Sequence, residues 1–353
     1  WLLPEDFGVF GMALLSLGLA EGLTFLGMSE ALIQRPAPSR EEWDTAWTAQ
    51  ALRGAALFLG ISLAAPLLGG FFGHPALAGL LPVLAVSFLF RGLVHVEVAA
   101  FSRDLKFQKE FVLRVSGTLA QVAAGTGWAM VSRTPWALAA GYLAGDLVRL
   151  VVSHLLCPAR PCFRFSPGAF RGLFRFGKWV LGLKLVGLLA NQGDDLLVGK
   201  LLGAEALGYY GLAWALSSLP ITDVVQILTR VAVPLYARLQ PEQDRVRRAF
   251  LELLQGTALL VFPLCAMIFL AGEDFTRVFL GDKWAPLVPI LELLALFNVL
   301  RAGTLATHPL FLGAGGAALP AGLFLFEFLG MVLLAFPLAR VWGVMGVAWA
   351  AVL

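Results

Sequence analysis

Residues 49–72 read AQALRGAALFLGISLAAPLLGGFF and carry a single charged side chain, Arg53. An apolar run of about 18 residues or more predicts a membrane-spanning helix, because the hydrocarbon core of a bilayer is about 30 Å thick and a helix rises about 1.5 Å per residue. Comparable runs fill the chain of 353 residues, of which 59% are hydrophobic and 14% are charged. Soluble domains average about 45–50% apolar and about 25% charged residues. The composition therefore predicts an all-α polytopic membrane protein.

The predicted spans follow one another along the whole chain. They are 7–28, 49–72, 77–100, 111–131, 136–156, 179–198, 207–233, 250–271, 286–306 and 318–338, and another begins at Trp342. Helices are favoured over barrel strands because the runs are continuously apolar, whereas barrel strands alternate over about ten residues. The chain starts without an initiator Met and ends inside an apolar run, so we expect a fragment that lacks the first helix and the C-terminal helices.

Lys and Arg are concentrated in every second loop. The basic set consists of Arg35, Arg40, Arg53, Arg103, Lys106, Lys109, Arg114, Arg160, Arg164, Arg171, Arg175, Lys178, Arg238, Arg245, Arg247 and Arg248. The intervening loops carry only Arg133, Lys200, Arg277 and Lys283. Positively charged loops stay in the cytoplasm, so the basic set is predicted to face inward. Membrane topology accounts for the net charge of +3, and no nucleic-acid partner is predicted.

An internal repeat relates the two halves of the chain. Residues 2–13 match residues 202–213 at Leu2, Glu5, Gly8, Gly11 and Ala13. Residues 32–35 match 235–238, and residues 81–84 match 288–291. The matched loops fall on the same side of the membrane, which predicts parallel repeats related by an axis along the membrane normal. With a first helix restored, each half has six helices, and two such lobes around a central cavity are typical of a transporter.

These considerations predict an N-terminal lobe over 1–159, a linker over 160–178 and a truncated C-terminal lobe over 179–353. The linker mixes Arg and Lys with Phe residues. Basic residues attract anionic headgroups and aromatic side chains enter the interface, so we predict an amphipathic cytoplasmic linker that lies on the membrane. The alternative is a positively charged cytoplasmic loop with no further role.

Several motifs resemble those of one transporter family. They are Leu3-Pro4-Glu5-Asp6-Phe7-Gly8, Ala31-Leu32-Ile33-Gln34-Arg35, Asn191-Gln192-Gly193-Asp194-Asp195-Leu196-Leu197-Val198-Gly199-Lys200-Leu201-Leu202-Gly203, Leu207-Gly208-Tyr209-Tyr210 and Gly281-Asp282-Lys283-Trp284. Their order and spacing resemble the polysaccharide-export flippases of the multidrug/oligosaccharidyl-lipid/polysaccharide superfamily, of the colanic-acid/O-antigen exporter type. A departure is Asp195, where that family more usually has Asn.

The resemblance implies a multi-pass protein of the bacterial inner membrane that acts in polysaccharide biosynthesis. Such a flippase moves an undecaprenyl-diphosphate-linked oligosaccharide across the membrane by alternating access. The implied partners are this lipid-linked oligosaccharide and membrane lipids, with a polysaccharide polymerase and glycosyltransferases as further candidates. The alternatives are a drug/cation antiporter of the same superfamily and a membrane-embedded glycosyltransferase or polymerase.

Charged side chains within spans cost about 2.5–3.5 kcal/mol each on insertion scales and usually face a wet cavity or the bundle interior. In the span 179–198, the spacing places Lys184, Asn191 and Asp195 on one helical face, with Asp194 about 80° away. A cation there would attract a diphosphate, and a carboxylate would titrate or bind Na⁺. The alternative is that Lys184 and both aspartates snorkel to the interfaces.

Other spans carry further polar residues. Arg91 and His95 share a face of the span 77–100, with Glu97 near its inner end, and either line the cavity or form a buried salt bridge. Asp146 and Arg149 are spaced to pair on one helix. The predicted substrate-binding residues are Arg91, Lys184, Asn191 and Arg230. The predicted ion-coupling residues are Asp194, Asp195, Asp146 and Asp223.

No motif in the chain indicates an enzyme. A phosphate-binding loop ahead of a Lys-Ser/Thr pair and a nucleophile elbow are both absent. The spacing of Cys157 and Cys162 fits no zinc pattern, and the four histidines are scattered. We therefore predict a transporter without catalytic residues, metal or cofactor.

Overall fold

The computed structural model describes residues 2–35, 38–104, 106–157, 159–239, 242–313 and 318–352. Within these ranges, the side chains outside the description are those of residues 102, 176, 178–180, 182–186, 189–191, 220–231, 233, 234, 237, 238, 304–306, 308, 309, 311–313, 318–321, 323–325, 327 and 328.

The described ranges are helical and contain no strand. The helices are α1 (Pro4–Leu23), α2 (Met28–Gln34), α3 (Arg40–Phe72), α4 (Ala76–Leu93), α5 (Ala99–Arg103), α6 (Phe107–Val131), α7 (Pro135–Leu156), α8 (Pro167–Leu202), α9 (Ala204–Leu239), α10 (Gln243–Phe275), α11 (Leu287–Gly313) and α12 (Ala318–Val352). Each predicted span overlaps one of these helices, and the predicted all-α polytopic fold is confirmed.

Several helices are longer than a bilayer requires. Among the described residues, six segments are long and apolar enough to cross a membrane by length and composition. Helix α3 has 33 residues, about 50 Å at 1.5 Å per residue, whereas the hydrocarbon core needs about 30 Å. Its first turn is charged and is held by a capping box, in which Ser39 N donates to Glu42 Oε2 at 2.9 Å and Glu42 N donates to Ser39 Oγ at 3.3 Å. The predicted span began later because this polar turn reads as a loop.

One compact unit comprises residues Trp1–Leu188. Within it, α3 packs on α4, α6 packs on α7, and α4 also packs on α7 and α1. Small residues allow the closest approaches, since a Cβ on Gly54 would lie 2.3 Å from the carbonyl oxygen of Phe88 and one on Gly141 would lie 2.6 Å from that of Gln121. These contacts place α1, α4 and α7 side by side.

The second compact unit comprises residues Leu189–Leu353. Here α11 packs on α9, α10 and α12. The boundary between the units falls inside α8, while the predicted lobe limits at 159 and 179 stay a prediction. Within α12 the backbone breaks at Gly343, with φ 58° and ψ −135°, so the two last predicted spans meet at a sharp bend that glycine permits.

Two predicted spans end earlier than expected. The span 7–28 stops at Leu23, and Gly27 adopts a φ of 62° ahead of α2. The span 77–100 stops at Leu93, and a short 3₁₀ turn follows over Val96–Val98. His95 therefore lies beyond α4 and does not share a helical face with Arg91. Hydropathy missed this end because Val94, Val96 and Val98 are as apolar as the helix itself.

Candidate functional site

Arg91 forms the centre of a polar cluster in the first unit. From the last turn of α4, its Nε donates to Asp146 Oδ2 at 2.8 Å, and its Nη1 lies 3.0 Å from Glu21 Oε2. Its Nη2 donates to the Tyr142 hydroxyl at 2.7 Å. The guanidinium thus ties together α1, α4 and α7. We call Arg91, Glu21, Tyr142, Asp146 and Arg149 the arginine cluster.

The carboxylate of Asp146 is the most deeply buried member of the arginine cluster. Its side chain is 2% exposed, and its second oxygen accepts from Arg149 Nη1 at 2.9 Å. A buried carboxylate is tolerated when both oxygens have charged donors, because these contacts offset the desolvation cost. Sequence spacing predicted the pair with Arg149, whereas the structure adds Arg91 as the closer partner.

Glu21 and Tyr142 were not predicted as site residues. Glu21 stands near the end of α1, where its backbone carbonyl accepts from Arg53 Nη2 at 2.7 Å. Arg53 Nε also donates to Thr24 Oγ1 at 3.1 Å. A cation at a helix C-terminus interacts favourably with the helix dipole. Arg53 and Arg91 therefore both contact Glu21, the first at its backbone carbonyl and the second at its carboxylate. These contacts join distant segments of the chain, so no local motif reveals them.

Arg91 keeps one accessible edge. Its side chain is 34% exposed, although three of its nitrogens are engaged. Any anion that approached it would compete with Glu21 and Asp146 for the same N–H groups. The sequence left open a cavity-lining residue or a buried salt bridge, and the contacts of Arg91 in the structure are those of a salt-bridge network.

The second unit contains a different polar cluster, centred on Asp194. Asp194 is 6% exposed, and its Oδ2 accepts a hydrogen bond from the hydroxyl of the fully buried Tyr210 at 2.6 Å. Oδ1 is buried and has no hydrogen-bond partner among the described residues. The backbone N–H groups of Asp194 and Asp195 also act on the carboxylate. Among the described residues, no side chain donates to Oδ1.

Aromatic and polar side chains extend this cluster. Tyr210 stacks on Trp214 with ring centroids 6.3 Å apart, and the Arg301 guanidinium carbon lies 5.3 Å from the Trp214 ring centroid. Arg301 also acts electrostatically on Asp194. One turn before Arg301, Asn298 is completely buried, and neither Oδ1 nor Nδ2 has a partner among the described residues. We call Asp194, Tyr210, Trp214, Asn298 and Arg301 the aspartate cluster.

The aspartate cluster has the chemistry of a proton or cation site. Burying an ionised carboxylate is costly unless it is paired, and the carboxylate is relieved either by protonation or by a small cation. The charge of Asp194 acts in turn on the carboxyl group of the neighbouring Asp195. Asp194 and Asp195 were predicted for this role from their place in an apolar span. Asn298 was missed because a single amide in α11 carries no charge to flag it.

The remaining predicted residues lie outside the described side chains. These are Lys184, Asn191, Asp223 and Arg230. Their helices are present, since α8 and α9 run through all four positions. Their roles in substrate binding and ion coupling stay predictions.

The start of the predicted linker is held on α3. Cys162 N donates to Asp44 Oδ1 at 3.1 Å, and Ser166 N donates to Thr45 Oγ1 at 3.2 Å. Between these bonds, Arg164 exchanges hydrogen bonds with the Thr48 hydroxyl. The side chains of α3 thus act as a docking edge for residues 160–166, and helix α8 begins directly afterwards at Pro167. Whether residues 160–178 lie on the membrane stays a prediction.

Comparison with known families and proteins identifies relatives in polysaccharide biosynthesis. A family described as polysaccharide biosynthesis protein matches residues 1–289. The lipopolysaccharide biosynthesis protein WzxC of Escherichia coli is 28% identical over 304 residues, covering 84% of this chain and 61% of the relative. The teichuronic acid biosynthesis protein TuaB of Bacillus subtilis is 27% identical over 290 residues, covering 78% and 58%. The chain spans about three fifths of the length of these relatives.

Two solved structures share the fold along nearly the whole chain. One is an inward-facing multidrug resistance MATE family transporter of the MOP superfamily, with a TM-score of 0.82 and 17% identity over 99% of this chain and 87% of that chain. The other is the lipid II flippase MurJ in an inward closed conformation, with a TM-score of 0.82 and 15% identity over 99% and 78%. At this identity the likeness concerns the fold alone.

Proposed function

The chain belongs to the polysaccharide biosynthesis protein family, and on that premise we propose that it is a flippase for a lipid-linked oligosaccharide. The substrate would be an undecaprenyl-diphosphate-linked oligosaccharide, moved across the bacterial inner membrane for polysaccharide export. The observation that carries the proposal is the family match over residues 1–289, together with a fold that it shares with a lipid II flippase. Relatives of this kind indicate transport rather than catalysis.

The charge pattern supports a diphosphate as the recognised group. Charge-assisted contacts from Lys or Arg to phosphate are the strong kind, and they strengthen in a partly desolvated site. Lys184 and Arg230 are cations in apolar helices, and Arg91 keeps an exposed edge. In this proposal Lys184 and Arg230, with Asn191, bind the diphosphate directly, while Arg91 contributes only after release from Glu21.

The aspartate cluster supports coupling to an ion. Among the described residues, no side chain donates to the buried Oδ1 of Asp194, and an ion or proton bound there would neutralise the carboxylate. An ion or proton that binds one conformation of the protein more tightly than another shifts the equilibrium toward the first, as alternating access requires. We therefore assign ion coupling to Asp194 and Asp195, and we infer a scaffold role for Asp146, whose oxygens are both paired.

A drug/cation antiporter is the second candidate. The fold matches a multidrug transporter as well as it matches the lipid II flippase, and an acidic buried site suits a cationic substrate. The glycosyltransferase alternative has no comparable support, because the two solved structures that share the fold are a transporter and a flippase. The two transport functions differ in their substrate, which is a lipid-linked sugar for the flippase and a cation for the antiporter.

The test is reconstitution of the purified protein into proteoliposomes that contain a fluorescent undecaprenyl-diphosphate oligosaccharide. We expect the outer-leaflet fraction to change with time in the wild type, and to change more slowly in Lys184→Ala than in the matched surface variant Lys200→Ala. Transport of a cationic dye with no movement of the lipid-linked sugar would instead establish the antiporter. Equal rates for Lys184→Ala and Lys200→Ala would remove Lys184 from the substrate site.

A further inference from the structure

Three metal-ligating side chains meet outside the two clusters described above. His95 follows α4, Glu97 lies in the adjoining 3₁₀ turn, and Cys157 follows α7. One ligand atom from each of these residues lies within 4.8 Å of the other two. His95 is 2% exposed and Cys157 is 4% exposed. From this arrangement we propose that His95, Glu97 and Cys157 form a binding site for a divalent metal ion, with zinc as the ion that its chemistry favours.

The hydrogen bonds of His95 resemble those of a metal-ligating histidine. Its Nε2 lies 2.6 Å from the carbonyl oxygen of Ala159, a contact that requires a proton on Nε2. Its Nδ1 then carries the lone pair, and its partner is the backbone N–H of Glu97 at 3.2 Å. A ligating histidine usually donates its other ring N–H to a carbonyl or carboxylate, which fixes the tautomer and the ring orientation. A metal at Nδ1 would therefore replace the Glu97 N–H as the partner of the single lone pair on that nitrogen.

Cys157 supplies the sulfur ligand. It is a free cysteine, and burial, reinforced by the negative charge of Glu97, raises the pKa of its thiol to about 11. Without a metal the thiol is therefore neutral at physiological pH. A bound divalent cation inverts this preference, because a coordinating thiol is deprotonated outright. One proton leaves the thiol and one metal–sulfur bond forms, so the step balances without an oxidant.

The ligand set and its charge fit zinc. Imidazole, thiolate and carboxylate are all common zinc ligands, and a tetrahedral ion with three protein ligands takes water in the fourth position. One thiolate and one carboxylate balance the double positive charge. The competing contact of Glu97 is a loose one, with Arg40 Nη1 at 3.8 Å from Oε1. Coordination would thus exchange two contacts for metal bonds, the loose Arg40–Glu97 pair and the hydrogen bond from the Glu97 N–H to His95 Nδ1.

The site would join three separate parts of the first unit. His95 and Glu97 belong to the turn after α4, Cys157 ends α7, and Ala159 opens the segment that docks on α3. An ion there would fasten this junction on the side of the membrane predicted to be cytoplasmic. The proposal does not depend on the flippase activity, since it concerns residues outside both clusters. Sequence spacing missed it because Cys157 is far from the other two ligands in the chain.

The test is Co²⁺ and Zn²⁺ binding to the purified full chain without a histidine tag. We expect one equivalent of Co²⁺ to produce a thiolate-to-cobalt charge-transfer band that Zn²⁺ abolishes. Cys157→Ser and His95→Ala should each remove the band. The matched control is Cys162→Ser, which replaces the exposed cysteine nearby and should leave both stoichiometry and affinity unchanged.

Two further measurements keep the outcome decisive. If Cys157→Ser does not fold, Glu97→Gln, which preserves the size of a partly exposed side chain, should weaken Zn²⁺ binding by at least the tenfold lower limit found for loss of supporting groups. At a fixed Zn²⁺ concentration, the thermal midpoint should rise less in Glu97→Gln than in the wild type. Absence of the band in the wild type, its loss in Cys162→Ser, or unchanged affinity in Glu97→Gln would overturn the proposal.

Discussion

The arginine cluster and the aspartate cluster solve the problem of a buried charge in opposite ways. Asp146 in the first unit has charged donors on both oxygens, at 2.8 and 2.9 Å. Asp194 in the second unit has a single phenolic donor at 2.6 Å, and its other oxygen is unpaired among the described residues. The filled network holds helices together, whereas the acceptor of Asp194 that lacks a side-chain donor is the feature on which the proposed ion coupling rests.

The internal repeat makes this comparison sharper. At the offset of 207 that aligns residues 81–84 with 288–291, Phe90 falls on Phe297 and Arg91 falls on Asn298. The arginine of one unit is thus replaced by an amide in the other, and that amide is fully buried without a partner among the described residues. If the predicted repeat reflects a duplication, the residue at this position of the helix differs between the two halves. The difference agrees with the proposed roles, a scaffold in the first unit and ion coupling in the second.

The largest effect is expected for Asp146→Ala. This change leaves Arg91 and Arg149 without their shared carboxylate, and breaking a buried pair costs about 3–5 kcal/mol. Thermal unfolding of the detergent-purified protein measures the loss. The control is Glu273→Ala, which breaks the exposed pair with Arg277 at 2.8 Å and should cost at most about 1 kcal/mol. Equal losses in the two variants would mean that the arginine cluster does not hold α1, α4 and α7 together.

A smaller loss is expected for Tyr210→Phe than for Asp146→Ala. The substitution removes the phenolic donor to Asp194 and leaves a buried acceptor unsatisfied, at a cost of about 1–3 kcal/mol. Tyr142→Phe is the matched control, because its partner Arg91 is 34% exposed and can turn an N–H toward water. Unfolding midpoints measured in parallel test the difference. A larger loss in Tyr142→Phe would reverse the assigned roles of the two clusters.

Asp194→Asn should change stability little, because the amide keeps the size of the carboxylate and still accepts from Tyr210. It should instead abolish the response of transport to collapse of the ion gradient. Proteoliposome transport with and without an ionophore measures this response. Asp274→Asn, at an exposed position, is the control that should respond like the wild type. An unchanged response in Asp194→Asn would exclude the aspartate cluster from coupling.

The last comparison uses single engineered cysteines, one in each unit. Lys109 is half-buried, with its Nζ donating to the carbonyl oxygen of Leu156 at 2.9 Å, and Arg277 is exposed. Lys109→Cys should stay unlabelled by an impermeant thiol reagent in intact cells, whereas Arg277→Cys should react, because only the second position lies in a loop predicted to face outward. The native Cys157, Cys162 and Cys265 should stay unlabelled. Mass spectrometry measures the extent of labelling, and permeabilised cells provide the positive control for Lys109→Cys. Equal labelling of Lys109→Cys and Arg277→Cys in intact cells would contradict the predicted orientation.

The fold was predictable because its main signal is local. About twenty consecutive apolar residues specify a spanning helix wherever they occur, and the predicted spans match the observed helices. Helix ends were less predictable, since the charged first turn of α3 is stabilised by a cap and the apolar stretch through Val94–Val98 leaves the helix after Leu93. Hydropathy reports whether a side chain prefers water or lipid, and it does not report where the backbone enters or leaves a helix.

The candidate sites were predictable only where a residue is conspicuous by itself. Arg91, Asp146 and Asp194 stand out as charges in apolar runs. Glu21 and Tyr142 became meaningful only when folding brought α1 and α7 against α4. The same holds for the proposed metal ligands, because proximity of Cys157 to His95 depends on how two helices end. Pairing of distant segments is the information that a single sequence does not display.

The docking of residues 160–166 on α3 also has a consequence for how the protein is made. Thr45, Thr48 and Asp44 find their backbone partners 116–121 residues further along the chain. At about 5–20 residues per second of synthesis, these partners follow several seconds or more after α3 leaves the ribosome. During that interval the polar edge of α3 stays hydrated, so the first unit closes only after the five predicted spans before residue 160 have been synthesised. Docking of residues 160–166 on α3 is therefore a late step in biogenesis. A ribosome stalled before residue 160 would hold a nascent chain in which the docking edge of α3 has no partner from residues 160–166.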